Sequence, residues 1–139
     1  MKLFIASAVL TMFIPFCSWS QDTKFDLSRS IEFSNSKQTE EIIIKTESNS
    51  TQLYISIKSA INQGGLIVEI YDPAGEKQGN FEIESIVKSN DGKTEYVQGS
   101  IQKKINVPMA GEWKIKIIPT NTTGHIRIGT YIGIPDDKK

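Results

Sequence analysis

The sequence contains a single histidine, His125, among its 139 residues. A serine hydrolase needs a histidine base beside its nucleophile, and Ser56 or Ser100 could supply the hydroxyl. Neither serine stands in the glycine-flanked turn that exposes the nucleophile of many such enzymes. We therefore expect His125 to begin a strand with its ring toward solvent. A hydrolase that uses His125 as its base stays a minor alternative to a protein that is not an enzyme.

Glu82 and Glu84 form the carboxylate pair that could serve a glycosidase, because alternate strand residues lie about 7 Å apart. They alternate with Phe81 and Ile83, as the solvent-facing positions of a strand do. A solvated outer face is therefore the expectation for both glutamates. Zinc sites that use several histidines are excluded by the count, and no glycine-rich phosphate loop is present. The sequence predicts no catalytic residue, no metal and no cofactor.

The remaining candidate for a functional site is a binding surface on the predicted strands near residues 125–134. Isoleucines at alternate positions predict an inward row: Ile126, Ile128, Ile132 and Ile134. The positions between them are then outward: His125, Arg127, Gly129, Tyr131 and Gly133. Two glycines beside a tyrosine would leave its ring above an accessible backbone strip. Tyr54 and Tyr71 project outward by the same alternation.

Aromatic rings on a polar sheet can stack on sugars or accept side chains of a partner. The predicted ligand-binding or partner-binding residues are therefore Tyr131, Arg127, His125, Tyr54 and Tyr71. The competing interpretation is that Gly129 and Gly133 mark bulges or close backbone approach. In that case the tyrosines only support cross-strand pairing.

These side chains must be positioned by strands, because apolar residues recur with a period of two. The predicted inward residues are Ile31, Phe33, Ile42, Ile44, Leu53, Ile55, Ile57, Leu66, Val68, Ile70, Phe81, Ile83, Val87, Trp113, Ile115 and Ile117. A weaker strand is expected from Glu95 to Ile101. Turns are predicted at residues 62–65 (NQGG), 72–75 (DPAG), 90–92 (NDG) and, as ordinary turn sequences, 49–51 and 121–123. The fold class is all-β: an antiparallel two-sheet β-sandwich, jelly-roll-like, of about seven to eight strands.

The N-terminus has the features of a secretory signal peptide over residues 1–20. Lys2 precedes 14 uncharged and mostly apolar residues, which are too few to span a bilayer. Ser18 and Ser20 supply the small side chains that signal peptidase needs before Gln21. Residues 21–139 would then form a single domain, with no transmembrane segment after cleavage. Lipidation of Cys17, or an uncleaved anchor, are the alternatives.

The amino-acid composition makes some classes of partner and bound metal unexpected for the exported domain. Cleavage removes the one cysteine, so neither a disulfide nor a thiolate metal site is expected. The formal charge of the full chain is zero, and acidic and basic residues are interspersed. Without a basic stripe, nucleic acid is not an expected partner.

The stretch from Leu53 to Ile118 contains LYISI, then GGLIVEIYDPAG, and then INVPMAGEWKIKI. This pattern resembles the bacterial pre-peptidase C-terminal domain, and the eukaryotic Golgi-dynamics (GOLD) domain has a comparable rhythm. The resemblance implies a jelly-roll-like β-sandwich. Some relatives are accessory modules of secreted peptidases, and some resemble calcium-dependent binders of polymers. Asp22 and Asp26 have no close carboxylate neighbours in sequence, so calcium is not expected here.

The sequence therefore predicts an exported, non-enzymatic binding or accessory module. Its partner would be a protein or polysaccharide at the cell envelope or outside, contacted through a sheet face. The expected location is the periplasm or the medium. The alternative is a structural or envelope-associated protein that assembles with itself.

Overall fold

The computed structural model describes residues 26–86 and 95–135. Of these residues, 77% lie in six strands of an antiparallel sheet, and none lies in a helix. The strands are β1 (Leu27–Ser36), β2 (Glu40–Thr46), β3 (Gln52–Tyr71), β4 (Lys77–Ser85), β5 (Val97–Asn106) and β6 (Gly111–Gly133). The all-β, antiparallel prediction is confirmed. The predicted signal peptide with Cys17, Asp22, Val87 and the turn at 90–92 lie outside the described residues.

Two long strands, β3 and β6, organise the sheet. They pair antiparallel from Gln52 opposite Gly133 to Tyr71 opposite Lys114. β1 and β2 pair with the two ends of β6, while β5 and β4 pair with the two ends of β3. The strand order is therefore β1–β6–β3–β5 in one half, which we call the β1 half-sheet. It is β2–β6–β3–β4 in the other half, which we call the β2 half-sheet.

The predicted turn at residues 62–65 is wrong, because β3 continues through it as a bulged bend. Its register with β6 shifts between Ile61 and Gln63 and again between Gln63 and Gly65. Gly64 has a φ of 76°, and a Cβ there would lie 2.2 Å from the carbonyl oxygen of Asn121. Glycine therefore fits both the backbone conformation and the close approach of β6. The bulge also changes which alternate residues of β3 face inward.

The predicted turn at residues 121–123 is also wrong, because this segment lies inside β6. The strand bends there, with Asn121 at a φ of 49° and Gly124 at 151°. Pro119 lies just before the bend, in the short gap of β6 between its pairing with β2 and its pairing with β1. A proline fits such a gap since one strand edge has no partner. Dividing β3 and β6 at their bends gives eight segments, which explains why seven to eight strands were predicted.

The inward rows form one buried core. Its members are Phe33, Ile42, Ile44, Leu53, Ile55, Ile57, Ile61, Leu66, Val68, Ile70, Trp113, Ile115, Ile117, Ile126 and Ile128. This confirms most of the predicted inward positions, and Ile31, Phe81, Ile83 and Ile132 pack against the core while partly buried. The prediction for Ile134 is wrong: it is 66% exposed, because β6 ends at Gly133 and the alternation stops there.

Side chains connect the two half-sheets at both margins. A Cβ on Gly79 of β4 would lie 3.0 Å from the Ile101 side chain of β5, and one on Gly99 of β5 would lie 2.8 Å from Ile83 of β4. At the other margin, Arg29 of β1 and Glu40 of β2 form an ion pair of 3.3 Å. Strands that share no backbone pairing therefore contact each other at these two margins.

The predicted turn at residues 72–75 is confirmed, and it joins β3 to β4. The Asp72 carboxylate accepts a hydrogen bond from the Glu76 N–H at 2.9 Å and another from Gln78 Nε2 at 2.8 Å. Gly75 has a φ of 85° and donates its N–H to the Asp72 carbonyl. Asp72 is thus a turn-forming residue, as its place before proline predicts.

Candidate functional site

The residues that could support catalysis lie apart. His125 is opposite Ala60, and Ser56 lies four residues along β3 from Ala60, which places its Cα roughly 13 Å away along the strand. Ser100 lies two strands from His125, on β5, and is two residues along from Gln98, the β5 residue in register with His125. Glu82 and Glu84 are exposed on β4, as a solvated outer face predicts. Among the described residues, no group of three or more His, Cys, Asp and Glu could hold a metal ion.

The outward side of the β1 half-sheet brings most of the predicted binding residues together. Burial fixes its direction, since Ile126 and Ile128 are fully buried and the residues between them point away from the core. We call this surface the Tyr131 face, and the strand register divides it into four rows. Across β6, β3 and β5 the first row is Tyr131–Tyr54–Lys104. Across β1, β6, β3 and β5 the other rows are Ser28–Gly129–Ser56–Gln102, Ser30–Arg127–Lys58–Ser100 and Glu32–His125–Ala60–Gln98.

An aromatic pair occupies the first row. Tyr131 of β6 lies directly opposite Tyr54 of β3, and Lys104 of β5 is the next residue along. Tyr131 is 37% exposed, Tyr54 is half-buried and Lys104 is exposed. The Asp26 carboxylate accepts the N–H of Ile132 at 2.8 Å, which holds the start of β1 against this end of β6. The row therefore presents two neighbouring phenol rings with an ammonium group beside them.

A pair of like charges occupies the third row. Arg127 of β6 lies directly opposite Lys58 of β3, and both side chains are exposed. Within residues 26–86 and 95–135, the ion pairs are Arg29–Glu40, Lys77–Glu69 and Lys114–Glu41. None of these ion pairs includes Arg127, Lys58 or Lys104. Glu32, the carboxylate of the next row, stands opposite His125.

The Tyr131 face can thus offer two kinds of contact to one ligand. The tyrosine rings can stack on a flat or weakly polar group, and the cations can donate charge-assisted hydrogen bonds. The first and third rows are four residues apart along β6, or roughly 13 Å. A ligand that uses both rows must be extended.

The prediction that Gly129 and Gly133 leave an accessible backbone strip is wrong, because both residues are buried. Gly129 lies in the middle of the half-sheet, with Ser28 and Ser56 on its two sides. A Cβ on Gly133 would lie 2.9 Å from the Thr51 hydroxyl. The Thr51 side chain therefore occupies the space beside Gly133, whereas the nearest backbone atom, the Gln52 nitrogen, would lie 3.5 Å from that Cβ.

Tyr71 does not join the other predicted binding residues, because it lies on the outward side of the β2 half-sheet. It is opposite Lys114 of β6, and its hydroxyl donates to the Glu69 carboxylate. Nearby charges are paired: Lys77 with Glu69 at 3.7 Å, and Lys114 with Glu41 at 3.6 Å. A depression of about 410 Å³ opens beside these residues and the turn at 72–75. Of the charged residues that line it, Glu41 is paired with Lys114, and the Asp72 carboxylate accepts the hydrogen bonds of its own turn.

Sequence reasoning missed Lys58 and Lys104 as members of the site. The alternation along β3 predicts that Lys58 faces outward, but it does not show which residue of another strand lies opposite. Lys58 and Arg127 are 69 positions apart, as 127 minus 58 gives, and only the register of β3 with β6 brings them together. No local sequence signal contains this pairing.

The chain matches no known family model, and it matches no curated protein. The resemblance of residues 53–118 to the pre-peptidase C-terminal domain therefore stays a prediction.

Proposed function

We propose that this protein is an exported, non-enzymatic binding module that holds a protein or polysaccharide partner through the Tyr131 face. The observation that carries the proposal is the register of β3 and β6, which places Tyr54 beside Tyr131 and Lys58 beside Arg127. Aromatic rings and exposed cations on one continuous sheet face are groups that bind ligands without reacting with them.

The proposed architecture is a two-sheet β-sandwich in which the bends of β3 and β6 fold one half-sheet over the other. Three observations support it: the single buried core that both half-sheets share, the β4–β5 side-chain contacts, and the Arg29–Glu40 ion pair at the opposite margin. In a sandwich the outward sides of the two half-sheets face opposite directions. The Tyr131 face and the outward side of the β2 half-sheet, where Tyr71 lies, would then be separate surfaces.

Export is proposed from the sequence of residues 1–20, with a final location in the periplasm or the medium. Export would place the Tyr131 face among envelope proteins and polysaccharides. Edman sequencing of the secreted protein, or its mass, would test this step. The expected new N-terminus is Gln21, whereas a lipid-modified Cys17 would replace it if the lipoprotein alternative were correct.

Binding is tested with alanine variants at matched positions of the two outward surfaces. The purified protein is immobilised and exposed to envelope and medium fractions, and the bound proteins and sugars are analysed by mass spectrometry. We expect Tyr131→Ala and Arg127→Ala to lose specific bound material, while Tyr71→Ala retains it. Each variant must keep a melting temperature within a few degrees of the wild type, because all three side chains lie outside the core. Equal capture by all variants would contradict the proposal.

Self-assembly is a second candidate, and exposed apolar side chains at one end of the β1 half-sheet favour it. Thr51 links this end, because its N–H donates to the Gly133 carbonyl and its carbonyl accepts the N–H of Val107. Val107 and Ile134 are 78% and 66% exposed. If the protein stays monomeric at high concentration in size-exclusion chromatography with light scattering, this function is excluded.

A further inference from the structure

The two outward surfaces of the protein differ in how their cations are paired. On the β2 half-sheet, Lys77 and Lys114 each have a carboxylate within 4 Å. On the Tyr131 face, Lys58 and Arg127 oppose each other, although like charges directly across an antiparallel pair destabilise it. Local violations of such pairing rules concentrate at functional sites. An anion bound between the two cations would remove their repulsion.

The other residues of the Tyr131 face limit the kind of molecule to which the anionic group can belong. Tyr131 and Tyr54 lie side by side in the first row, roughly 13 Å from the cations along the strands. Tyrosine rings offer apolar surfaces with a polar rim, and sugar rings with their C–H faces stack on such surfaces. A single small anion cannot reach both rows. A polymer that alternates rings and acidic groups can contact both.

We propose that the Tyr131 face binds an acidic polysaccharide. Carboxylate or sulfate groups of the polymer lie on Arg127 and Lys58, and one of its sugar rings stacks on Tyr131 and Tyr54. Lys104 extends the cationic surface beside the ring. This inference rests on the proposed binding function and names the class of ligand for the same site.

The inference is tested with polymers that carry acidic groups, sugar rings or both. Polygalacturonate, alginate and hyaluronate carry both acidic groups and sugar rings. Fully methyl-esterified polygalacturonate keeps the rings without the charge, and poly-glutamate keeps the charge without the rings. Binding is measured by biolayer interferometry with the purified protein. We expect at least one of the three acidic polysaccharides to bind at least about tenfold more tightly than both controls, which corresponds to one lost charge-assisted contact.

Variants locate the binding on the protein. Arg127→Ala and Lys58→Ala are each expected to weaken the bound polysaccharide about tenfold, and Tyr131→Ala by a similar factor. Lys116→Ala, a charge removal of equal size on the other half-sheet, is the matched control and should leave affinity unchanged. Raising the ionic strength from about 0.1 M to about 1 M shortens the Debye length from about 10 Å to about 3 Å, so binding should weaken.

The outcomes separate this inference from the broader proposal. Equal binding of the methyl ester overturns the acidic specificity but leaves a sugar-binding face. Equal binding of poly-glutamate overturns the polysaccharide and points to an acidic protein partner. If none of the three acidic polysaccharides binds, the inference is wrong, and the capture experiment with Tyr131→Ala still decides whether the face binds anything. Weakening by Lys116→Ala equal to that by Arg127→Ala would show only non-specific attraction to positive charge, which also overturns it.

Discussion

Replacing Lys58 with glutamate changes the cross-strand pair with Arg127 from repulsive to attractive. The two residues are directly opposite in the β3–β6 register, and both are exposed. Cross-strand charge pairs contribute roughly 0.2 to 1 kcal/mol, with opposite signs for like and unlike charges. Exposed pairs fall at the lower end because water screens them. Lys58→Glu is therefore expected to stabilise the fold by roughly 0.5 to 1 kcal/mol, or roughly 2 to 4 °C in melting temperature.

Urea denaturation at low and high salt measures this change. The gain should shrink at high ionic strength, since it is electrostatic and solvent-exposed. Lys and Glu have similarly low strand propensities, so the backbone preference of position 58 changes little. The same variant should lose the bound acidic polysaccharide. A gain in stability with a loss of binding is the signature of a site that is held in an unfavourable arrangement for its function.

Lys77→Glu is the matched control for this prediction. Lys77 lies 3.7 Å from the Glu69 carboxylate, so the same charge change there replaces attraction with repulsion. It should destabilise the fold by roughly 0.5 to 1 kcal/mol, opposite in sign to the change at position 58. If Lys58→Glu is neutral or destabilising while Lys77→Glu behaves as expected, then Arg127 and Lys58 do not repel each other. The charge argument for an acidic ligand then fails.

Two further predictions concern backbone conformation, and urea denaturation measures both. Gly124→Ala should destabilise the fold by about 3 kcal/mol or more, because its Cβ would lie 2.2 Å from the Ala60 carbonyl at a φ of 151°; a loss below about 1 kcal/mol would show that the bend yields easily. Val107→Gly should stabilise it by about 0.5 to 1 kcal/mol, because a β-branched residue is strained at a φ of 49°. Asn35→Gly is the control for Val107, since asparagine tolerates its φ of 47° and should gain nothing.

The sequence predicted which strand residues face the core because that information is local. The rows containing Leu53, Leu66 and Trp113 each alternate with polar residues, and all three rows are buried as expected. The same logic predicted that Arg127 and Tyr131 face outward. The period of two is a property of each strand alone, so it can be observed without knowing the partner strand.

The continuity of β3 and β6 could not be predicted in the same way. Glycine at position 64 allows a positive φ, and both a turn and a bulge use that conformation. The two differ in the direction of the chain beyond the glycine, because a turn reverses the chain and a bulge only bends it. Here the facing bend of β6, with the Asn121 carbonyl near Gly64, determines the outcome. That contact joins segments distant in sequence, which local turn rules do not include.

The composition of the candidate site depends on the same long-range register. Tyr54 and Tyr71 were indistinguishable in the sequence, since both are outward tyrosines of one predicted pattern. The bend of β3 between them separates them onto different half-sheets, where Tyr71 binds Glu69 and Tyr54 meets Tyr131. A bulge in the middle of a strand thus decides which aromatic side chains share a surface.

The core residues and the proposed binding residues are alternate residues of the same strand. In β6, Ile126 and Ile128 are fully buried, while Arg127 between them is exposed. Changes to the outward residues therefore leave the core packing intact, and changes to the inward residues alter stability first. Because β6 pairs with β1 on one side and β3 on the other, its outward side chains are held at fixed spacing from both neighbours. A ligand of the proposed Tyr131 face would therefore meet backbone that is already paired on both sides of β6, and its binding would require little further ordering of that backbone.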